Sequence, residues 1–245
     1  MITVRSALFS AWLCFISAVM TIGCIPLLVA GPHRTIIWAM RQWARLVLGG
    51  ARIIVGVRYE VRGEANIPRG PGLIASKHQS MWETVAFHIL LADPAIVMKR
   101  ELMKIPLYGQ YAARAGMIAV DREGHARTLR NLVADARARL ANGRQIVIFP
   151  EGTRRVPGAL PDYKPGIAAL YGQLGVPCVP VALNSGHFWP RAGIMKRPGT
   201  IVIEFLQPLP PGLKRADFMA ALEGRIEAGV AQLVPAPAKS INSTD

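Results

Sequence analysis

The chain has 245 residues, of which 51% are hydrophobic and only 18% are charged. This composition excludes a disordered chain and argues against an ordinary cytosolic protein, because soluble domains average about 25% charged residues. The formal net charge of +14 indicates a polyanionic partner: nucleic acid, an anionic membrane surface or a phosphorylated substrate. The three cysteines form no C-x-x-C pair, which excludes a disulfide framework and argues against structural zinc and iron–sulfur clusters.

The N-terminal segment lacks charge between Ser6 and Pro32. A helix of about 25 residues is roughly 38 Å long, enough to cross a ~30 Å hydrocarbon core. Two alternatives stay open. One is a helical hairpin in a single leaflet, broken near Gly23 or Pro26. The other is a secretory signal peptide, for which Val29-Ala30-Gly31 is a poor cleavage site.

The stretch from Arg34 to Val57 mixes aromatic and basic side chains, among them Trp38 and Trp43. Such a mixture suits the headgroup layer and predicts an interfacial helix, with a surface helix of the globular domain as the alternative. Only Arg5 precedes the apolar run and several arginines follow it, so the positive-inside rule places the main domain in the cytoplasm. Residues 1–57 are therefore predicted to form a membrane-spanning or interfacial helical segment.

The rest of the chain alternates short apolar runs with helical periodicity. The strand candidates are Leu73–Ser76, Ala95–Met98, Met117–Val120, Ile146–Phe149, Val179–Leu183 and Ile201–Phe205. The helix candidates are Met81–Leu91, His125–Asn142, Pro165–Gly175 and Ala216–Val234. This alternation predicts an α/β fold over residues 58–234, with a mostly parallel central sheet and helices on its faces. Residues 235–245 are predicted to be a disordered tail.

Ligands of such folds bind where strands end, and His78 follows the first strand candidate at a strand-to-helix turn. Glu83 lies five residues later, in the first turn of the next helix. A carboxylate bonded to one ring nitrogen leaves the other free as a base. His88 and Asp93 have the same separation, but His88 lies within a helix among apolar neighbours, so it is interpreted as a packing residue.

A second candidate block follows the strand Ile146–Phe149. Gly152 allows backbone amides to approach a ligand closely, Thr153 offers a hydroxyl and Arg154 offers a planar fork suited to phosphate. Arg122, after a further strand, and Lys164, at a helix start, would complete an anion pocket. The histidines show no ligand-like clustering, so no metal is expected.

In order and spacing, these blocks resemble the glycerolipid acyltransferase family, most closely the 1-acyl-glycerol-3-phosphate acyltransferases of bacteria, over roughly Tyr59 to Phe205. The F-P-E-G-T-R block and the His block carry the resemblance. It implies that His78 takes the proton of a glycerol hydroxyl and that Glu83 orients His78. Glu83 departs from the Asp that is usual in the family, and its longer side chain must fold back to reach the ring.

The resemblance also implies the residues that bind the substrate phosphate, which are Arg122, Glu151, Gly152 and Arg154. Lys99, with the residues up to Gly109, resembles the stretch ahead of the family's Arg block and is kept as a further substrate contact. A looser match around Val179-Pro180-Val181 receives no chemical role.

The reaction implied is acyl transfer from a thioester to the hydroxyl of 1-acyl-glycerol-3-phosphate, giving phosphatidic acid. The co-substrate is acyl-CoA or acyl-carrier protein, and no other cofactor is expected. No G-x-S-x-G elbow is present, so direct attack without an acyl-enzyme is predicted. The backbone amides after His78 are the candidate oxyanion donors. The expected partners are a lysophospholipid and an anionic membrane surface, without nucleic acid, at the cytoplasmic face of a bacterial inner membrane.

Two alternatives remain at this point. The first is an acyltransferase of the same family that uses glycerol-3-phosphate or a lyso-aminolipid as acceptor. The second is a non-catalytic, membrane-anchored binder of anionic lipid or nucleic acid. The net charge of +14 favours the second alternative, but the chain lacks the aromatic-interleaved basic patches of single-strand binders.

Overall fold

The computed structural model describes residues 1–121 and 125–234. Their α-helices, in chain order, are α1 (Ile2–Gly23), α2 (Ile25–Ala30), α3 (His33–Gly50), α4 (Trp82–Leu90), α5 (Tyr108–Arg114), α6 (His125–Ala141), α7 (Gly166–Leu174), α8 (Ser185–Phe188) and α9 (Arg215–Gln232). The strands are β1 (Val57–Arg62), β2 (Gly72–Ser76), β3 (Pro94–Lys99), β4 (Ile118–Val120), β5 (Gln145–Ile148), β6 (Cys178–Leu183) and β7 (Gly199–Phe205). The predicted tail, residues 235–245, lies outside the described residues.

The seven strands form one sheet in the order β1-β7-β6-β2-β5-β3-β4. The five strands from β6 to β4 in this order are mutually parallel, whereas β7 runs antiparallel to β6 and β1 runs parallel to β7. The mostly parallel α/β fold is therefore confirmed. The carboxyl ends of the five parallel strands meet at one edge of the sheet, which is where such folds place their sites.

The central strand β2 shows why the sheet is covered on both faces. All five of its residues are buried, and successive side chains point to opposite faces. Ile74 packs into the apolar cluster that includes residues of α1, α3 and α4. Leu73 and Ala75 pack into the cluster that includes residues of α6, α7 and α9. Burial on both faces explains why this strand is a continuous apolar run rather than an alternating one.

The predicted strands all occur, with bounds that shift by one or two residues, and the sheet contains a further strand, β1. In β1, Arg58, Glu60 and Arg62 alternate with Val57, Tyr59 and Val61, and β1 lies at one margin of the sheet. Because charged residues occupy every second position of β1, it lacks the continuous apolar run by which the other strands were predicted. The short helix α5 was also not predicted, since it spans only seven residues.

The uncharged N-terminal run is not one continuous helix. Helix α1 ends at Gly23, one of the two positions at which the hairpin alternative expects a break, and α3 packs back along it. The indole Nε1 of Trp12 donates to the carbonyl of Leu46 at 3.2 Å, and that of Trp43 donates to Ser17 Oγ at 3.1 Å. These contacts make α1 and α3 an antiparallel pair.

Helix α1 also contacts the sheet domain along its length. Near its start, the Phe9 ring meets Trp189 edge-on, with ring centroids 5.0 Å apart. Near its end, Tyr111 OH donates to the carbonyl of Thr21 at 2.9 Å. The opposite side of α1 exposes Phe15 and Val19. Among the described residues, α1 alone is long and apolar enough to cross a membrane, by length and composition.

Candidate active site

His78 and Glu83 are brought together at the carboxyl end of β2. His78 lies in the turn between β2 and α4, and Glu83 lies in the first turn of α4. His78 Nδ1 lies 2.8 Å from Glu83 Oε1. The backbone amides of Gln79 and Ser80 donate to the same oxygen, each at 2.7 Å. The longer Glu side chain therefore does fold back to the imidazole.

Ser185 completes the surroundings of Glu83. It follows β6, the neighbour of β2, and its Oγ donates to Glu83 Oε2 at 2.8 Å. The Glu83 side chain is fully buried, and four hydrogen bonds, from His78, Gln79, Ser80 and Ser185, replace its hydration. The sequence contains the small-residue turn after β6, but nothing local indicates that its hydroxyl reaches a residue more than one hundred positions away.

The imidazole of His78 is held from two sides. Phe149, which follows β5, stacks on it with ring centroids 4.0 Å apart and planes 20° apart. A neutral imidazole whose Nδ1 faces a carboxylate carries its proton on Nδ1, which leaves the lone pair on Nε2. The His78 side chain is 12% exposed, so Nε2 belongs to a mostly buried ring at the edge of the sheet.

The backbone amides after His78, the candidate oxyanion donors, are engaged by the Glu83 side chain. The amides of Gln79 and Ser80 are both occupied by Glu83, and the amide of His78 points at Glu151 Oε2 at 3.4 Å. These candidate oxyanion donors therefore already have an acceptor in this structure. The Glu83 side chain folds back over the turn, and its Oε1 accepts hydrogen bonds from the amides of Gln79 and Ser80.

Glu151 lies under the His78 turn and forms an ion pair with Lys77. The Lys77 ammonium is 2.8 Å from Glu151 Oε1 and 2.7 Å from Glu227 Oε1, with side-chain exposures of 3% for Lys77 and 0% for Glu151. Burial raises the pKa of Glu151, and the Lys77 ammonium opposes this rise. A buried carboxylate repels a phosphate, so this geometry favours a role for Glu151 in holding the turn over direct phosphate binding.

Arg154 offers a buried, unpartnered Nε–H beside this turn. Its Nε is buried and has no hydrogen-bond partner among the described residues. Its charge reaches the phenol of Tyr108, where burial raises the pKa and Arg154 opposes the rise. A buried N–H donor without a partner is costly, and an oxygen of a bound anion would satisfy it.

The other predicted phosphate contacts are arranged differently. Lys164 pairs with both oxygens of Asp162, at 2.7 and 2.8 Å, and Asp162 also pairs with Arg155. Lys164 thus already has a carboxylate partner, which it shares with Arg155, and this lowers its value in an anion pocket. Thr153 is exposed, and Gly152 has φ +65°, a left-handed conformation that glycine adopts without strain.

Of the two remaining predicted contacts, Lys99 lies further along the same edge. Lys99 ends β3 and is exposed, and β5 separates β3 from β2, which puts Lys99 about 10 Å along the sheet from the His78 strand. Arg122 follows β4 but lies outside the described residues. Among the residues that are described, no group of His, Cys, Asp and Glu has the arrangement of a metal site.

The second His–acid pair is not a pair in the structure. His88 is buried, which lowers its pKa to about 4, with a smaller contribution from the nearby charge of Arg41. Asp93 instead bonds His33 Nε2 at 2.9 Å and Arg144 Nε at 3.0 Å. The interpretation of His88 as a packing residue is confirmed.

Several known proteins are similar to this chain in sequence. The Acyltransferase family profile matches residues 58–184. A 1-acyl-sn-glycerol-3-phosphate acyltransferase from Pseudomonas aeruginosa is 36% identical over 195 residues, 80% of this chain and 76% of that protein. The sheep (Ovis aries) 1-acyl-sn-glycerol-3-phosphate acyltransferase alpha is 29% identical over 74% of this chain and 64% of its own length.

A solved structure has the same architecture. The crystal structure of the 1-acyl-sn-glycerophosphate (LPA) acyltransferase PlsC from Thermotoga maritima matches with a TM-score of 0.79, covering 98% of this chain and all of that one, at 21% identity. This likeness shows the shared fold. The family profile and the Pseudomonas relative show that the chain belongs to the acyltransferase family.

Proposed function

We propose that the protein transfers a fatty acyl group from a thioester to the free hydroxyl of 1-acyl-glycerol-3-phosphate, giving phosphatidic acid. The observation that carries this proposal is the His78–Glu83 pair at the carboxyl edge of the sheet, with Glu83 bonded by four donors. The names of the Pseudomonas and sheep relatives support the choice of acceptor.

In the proposed mechanism, His78 Nε2 removes the proton of the acceptor hydroxyl as its oxygen attacks the thioester carbonyl. The C–S bond then breaks, and the imidazolium returns the proton to the leaving thiolate. Glu83 keeps the other ring nitrogen protonated and stabilises the imidazolium while it exists. General-base catalysis of this kind contributes roughly 10²- to 10⁴-fold in rate.

The attack is proposed to be direct, without an acyl-enzyme. The Ser185 hydroxyl, which lies beside the dyad, donates to Glu83 rather than to His78, so His78 does not activate it as a nucleophile. The Cys178 thiol lies in β6, and burial raises its pKa well above the ordinary range, which makes it a poor nucleophile. A side chain acylated during turnover would contradict this step.

Arg154 is proposed to hold the substrate phosphate, with Arg122 as the second cation. The buried, unpaired Nε of Arg154 supports this role. A phosphate fixed at this point would place the neighbouring hydroxyl near His78, which is how orientation contributes to the rate. The proposed contacts of lower rank are Lys99, Lys164, Thr153 and Gly152. Among them, Lys164 already pairs with Asp162.

The N-terminal helices are proposed to hold the active-site edge against a membrane. The outer side of α1 exposes Leu8, Phe15 and Val19, and no acidic residue occurs before Glu60. Because α1 lies along the domain rather than projecting from it, contact with one leaflet fits the contacts better than a perpendicular span. The proposed location is the cytoplasmic face of a bacterial inner membrane.

A basic cleft supports this orientation. Arg5, Arg52 and Arg58 line it beside the exposed Ile53. It lies at the amino ends of β1 and β7, which share the edge of the sheet that carries His78. Arginines near an anionic bilayer contribute about 1 kcal/mol each to binding. The cleft would thus attract anionic headgroups on the side from which the acceptor arrives.

An acceptor panel tests the proposal. Detergent-purified protein is supplied with acyl-CoA or acyl-carrier protein and, separately, 1-acyl-glycerol-3-phosphate, glycerol-3-phosphate and a lyso-aminolipid. The expected result is rapid phosphatidic acid formation from 1-acyl-glycerol-3-phosphate and little product from the other two. Faster turnover of another acceptor would overturn the acceptor assignment. No product with any acceptor and either donor would overturn the proposed reaction.

A further inference from the structure

A buried charge cluster lies directly behind the proposed base. Lys77, the residue before His78, places its ammonium between two carboxylates, 2.8 Å from Glu151 Oε1 and 2.7 Å from Glu227 Oε1. Glu227 comes from α9, outside the 58–184 segment that matches the family. The His78 reaction as described uses neither Lys77 nor Glu227.

Glu227 accepts hydrogen bonds from two parts of the site, the β2 turn and the loop between β5 and α7. Its Oε1 accepts from Lys77 in the β2 turn and also from the Tyr163 hydroxyl at 2.7 Å. Tyr163 belongs to the loop between β5 and α7, which carries Arg154. The turn of the proposed base and the loop of the proposed phosphate ligand therefore share one carboxylate oxygen on α9.

The charged groups around His78 give the position of the Lys77 ammonium its importance for the base. Two carboxylates face the His78 turn, Glu83 at the ring and Glu151 at the backbone amide. The Arg155 amide donates to the carbonyl of His78, while its guanidinium pairs with Asp162. Lys77 is the cationic residue next to His78 in the chain. Its ammonium points toward α9, where it pairs with Glu227.

We propose that Glu227 is a positioning residue for the acyl-transfer reaction. It fixes Lys77 through the 2.7 Å ion pair, and Lys77 fixes the turn that presents His78. The inference rests on the proposed function, because it concerns the same base. A side chain that is 28% exposed and comes from the C-terminal helix thus belongs to the catalytic arrangement without contacting the reacting atoms.

Glu227→Gln tests the inference with Glu223→Gln as its matched control. Glu223 lies one turn earlier on α9 and its charge also acts on Tyr163, but among the described residues it forms no ion pair with Lys77. We expect Glu227→Gln to lower kcat about tenfold with KM changed less than twofold. Glu223→Gln should stay within twofold of the wild type in both constants.

The pH profile separates positioning from general loosening. Glu227→Gln removes a negative charge from the cluster behind His78, so the acid limb of the kcat/KM profile should move to lower pH. A purely structural role would lower the rate equally at every pH. Tyr163→Phe, which removes a hydrogen bond to Glu227 without changing a charge, should lower kcat two- to threefold and leave the limb in place.

The outcomes distinguish this inference from the proposed function. An inactive wild type would overturn the proposed function. An active wild type with Glu227→Gln indistinguishable from Glu223→Gln would overturn the inference alone. An equal loss of kcat/KM at all pH values in Glu227→Gln, with the acid limb unmoved, would also overturn it. If Glu227→Gln does not fold, Tyr163→Phe decides: an unchanged kcat in that variant contradicts the role of the shared oxygen.

Discussion

Four donors converge on the side-chain oxygens of Glu83, and they come from two parts of the chain. His78 and the amides of Gln79 and Ser80 are local, and they follow from the short spacing between His78 and Glu83. Ser185 is distant in sequence and reaches Glu83 only because β6 lies beside β2. The spacing predicted the pair, whereas the support from Ser185 depends on the strand order, which no local pattern encodes.

Ser185→Ala is expected to lower kcat about tenfold, equivalent to about 1.4 kcal/mol, because one of the four donors to a buried carboxylate is lost. The remaining three donors still hold the Glu83 side chain beside His78, so KM should change little. Steady-state kinetics with 1-acyl-glycerol-3-phosphate measures both constants. An unchanged kcat would show that Oε2 needs no donor.

His88 gives a prediction about stability. Its pKa falls from 6.5 to about 4 in the folded protein, so the unfolded chain binds the extra proton between these values. Stability is unaffected above pH 6.5 and is lost as the pH falls toward 4. Relative to His88→Leu, the wild type should lose about 2.5 kcal/mol of unfolding free energy between pH 7 and pH 4.5. Urea titrations in detergent at the two pH values measure this, and parallel curves for both proteins would contradict it.

At the scale of the element, apolar runs predicted the strands of the parallel sheet and helical periodicity predicted the helices on its faces. Strand β1 escaped because Arg58, Glu60 and Arg62 interrupt its apolar residues at the margin of the sheet. Composition also left open how the N-terminal run is arranged. The end of α1 at Gly23 and its contacts with α3 are tertiary features, since the same apolar sequence suits a span or a hairpin.

Two phenylalanines of α1 separate folding from membrane contact. Phe9 is fully buried against Trp189, so Phe9→Ala should cost about 3 kcal/mol of stability or more. Phe15 is 60% exposed, so Phe15→Ser should leave stability unchanged and weaken vesicle binding about tenfold. Urea titration and vesicle flotation measure the two effects. Equal flotation of Phe15→Ser and the wild type would contradict membrane contact through this face.

At the scale of the whole molecule, the sheet gathers the proposed chemistry at one edge. The parallel strands bring the turns after β2, β5 and β6 together, while the reversed strands β1 and β7 add the basic cleft to that edge. The net charge of +14 indicated an anionic partner without choosing among membrane, nucleic acid and phosphorylated substrate. The position of the cleft supports the membrane and the phosphorylated lipid.

The position of charge, rather than its amount, is expected to govern membrane binding. Changing Arg5, Arg52 and Arg58 together to Gln should weaken binding to anionic vesicles about 100-fold. The matched control changes three exposed arginines of helices on the opposite face of the sheet, Arg127, Arg130 and Arg215. Flotation at low and high salt measures both. Equal losses in the two triple variants would show that only net charge matters.

The central claim is that His78 is the base of an acyl transfer, and one measurement tests it most directly. Initial rates of phosphatidic acid formation are compared for the wild type, His78→Ala and His88→Leu with saturating 1-acyl-glycerol-3-phosphate and long-chain acyl donor. The account predicts a loss of roughly 10²-fold or more in kcat for His78→Ala and less than a threefold change for His88→Leu. An active wild type whose rate survives His78→Ala would contradict the account.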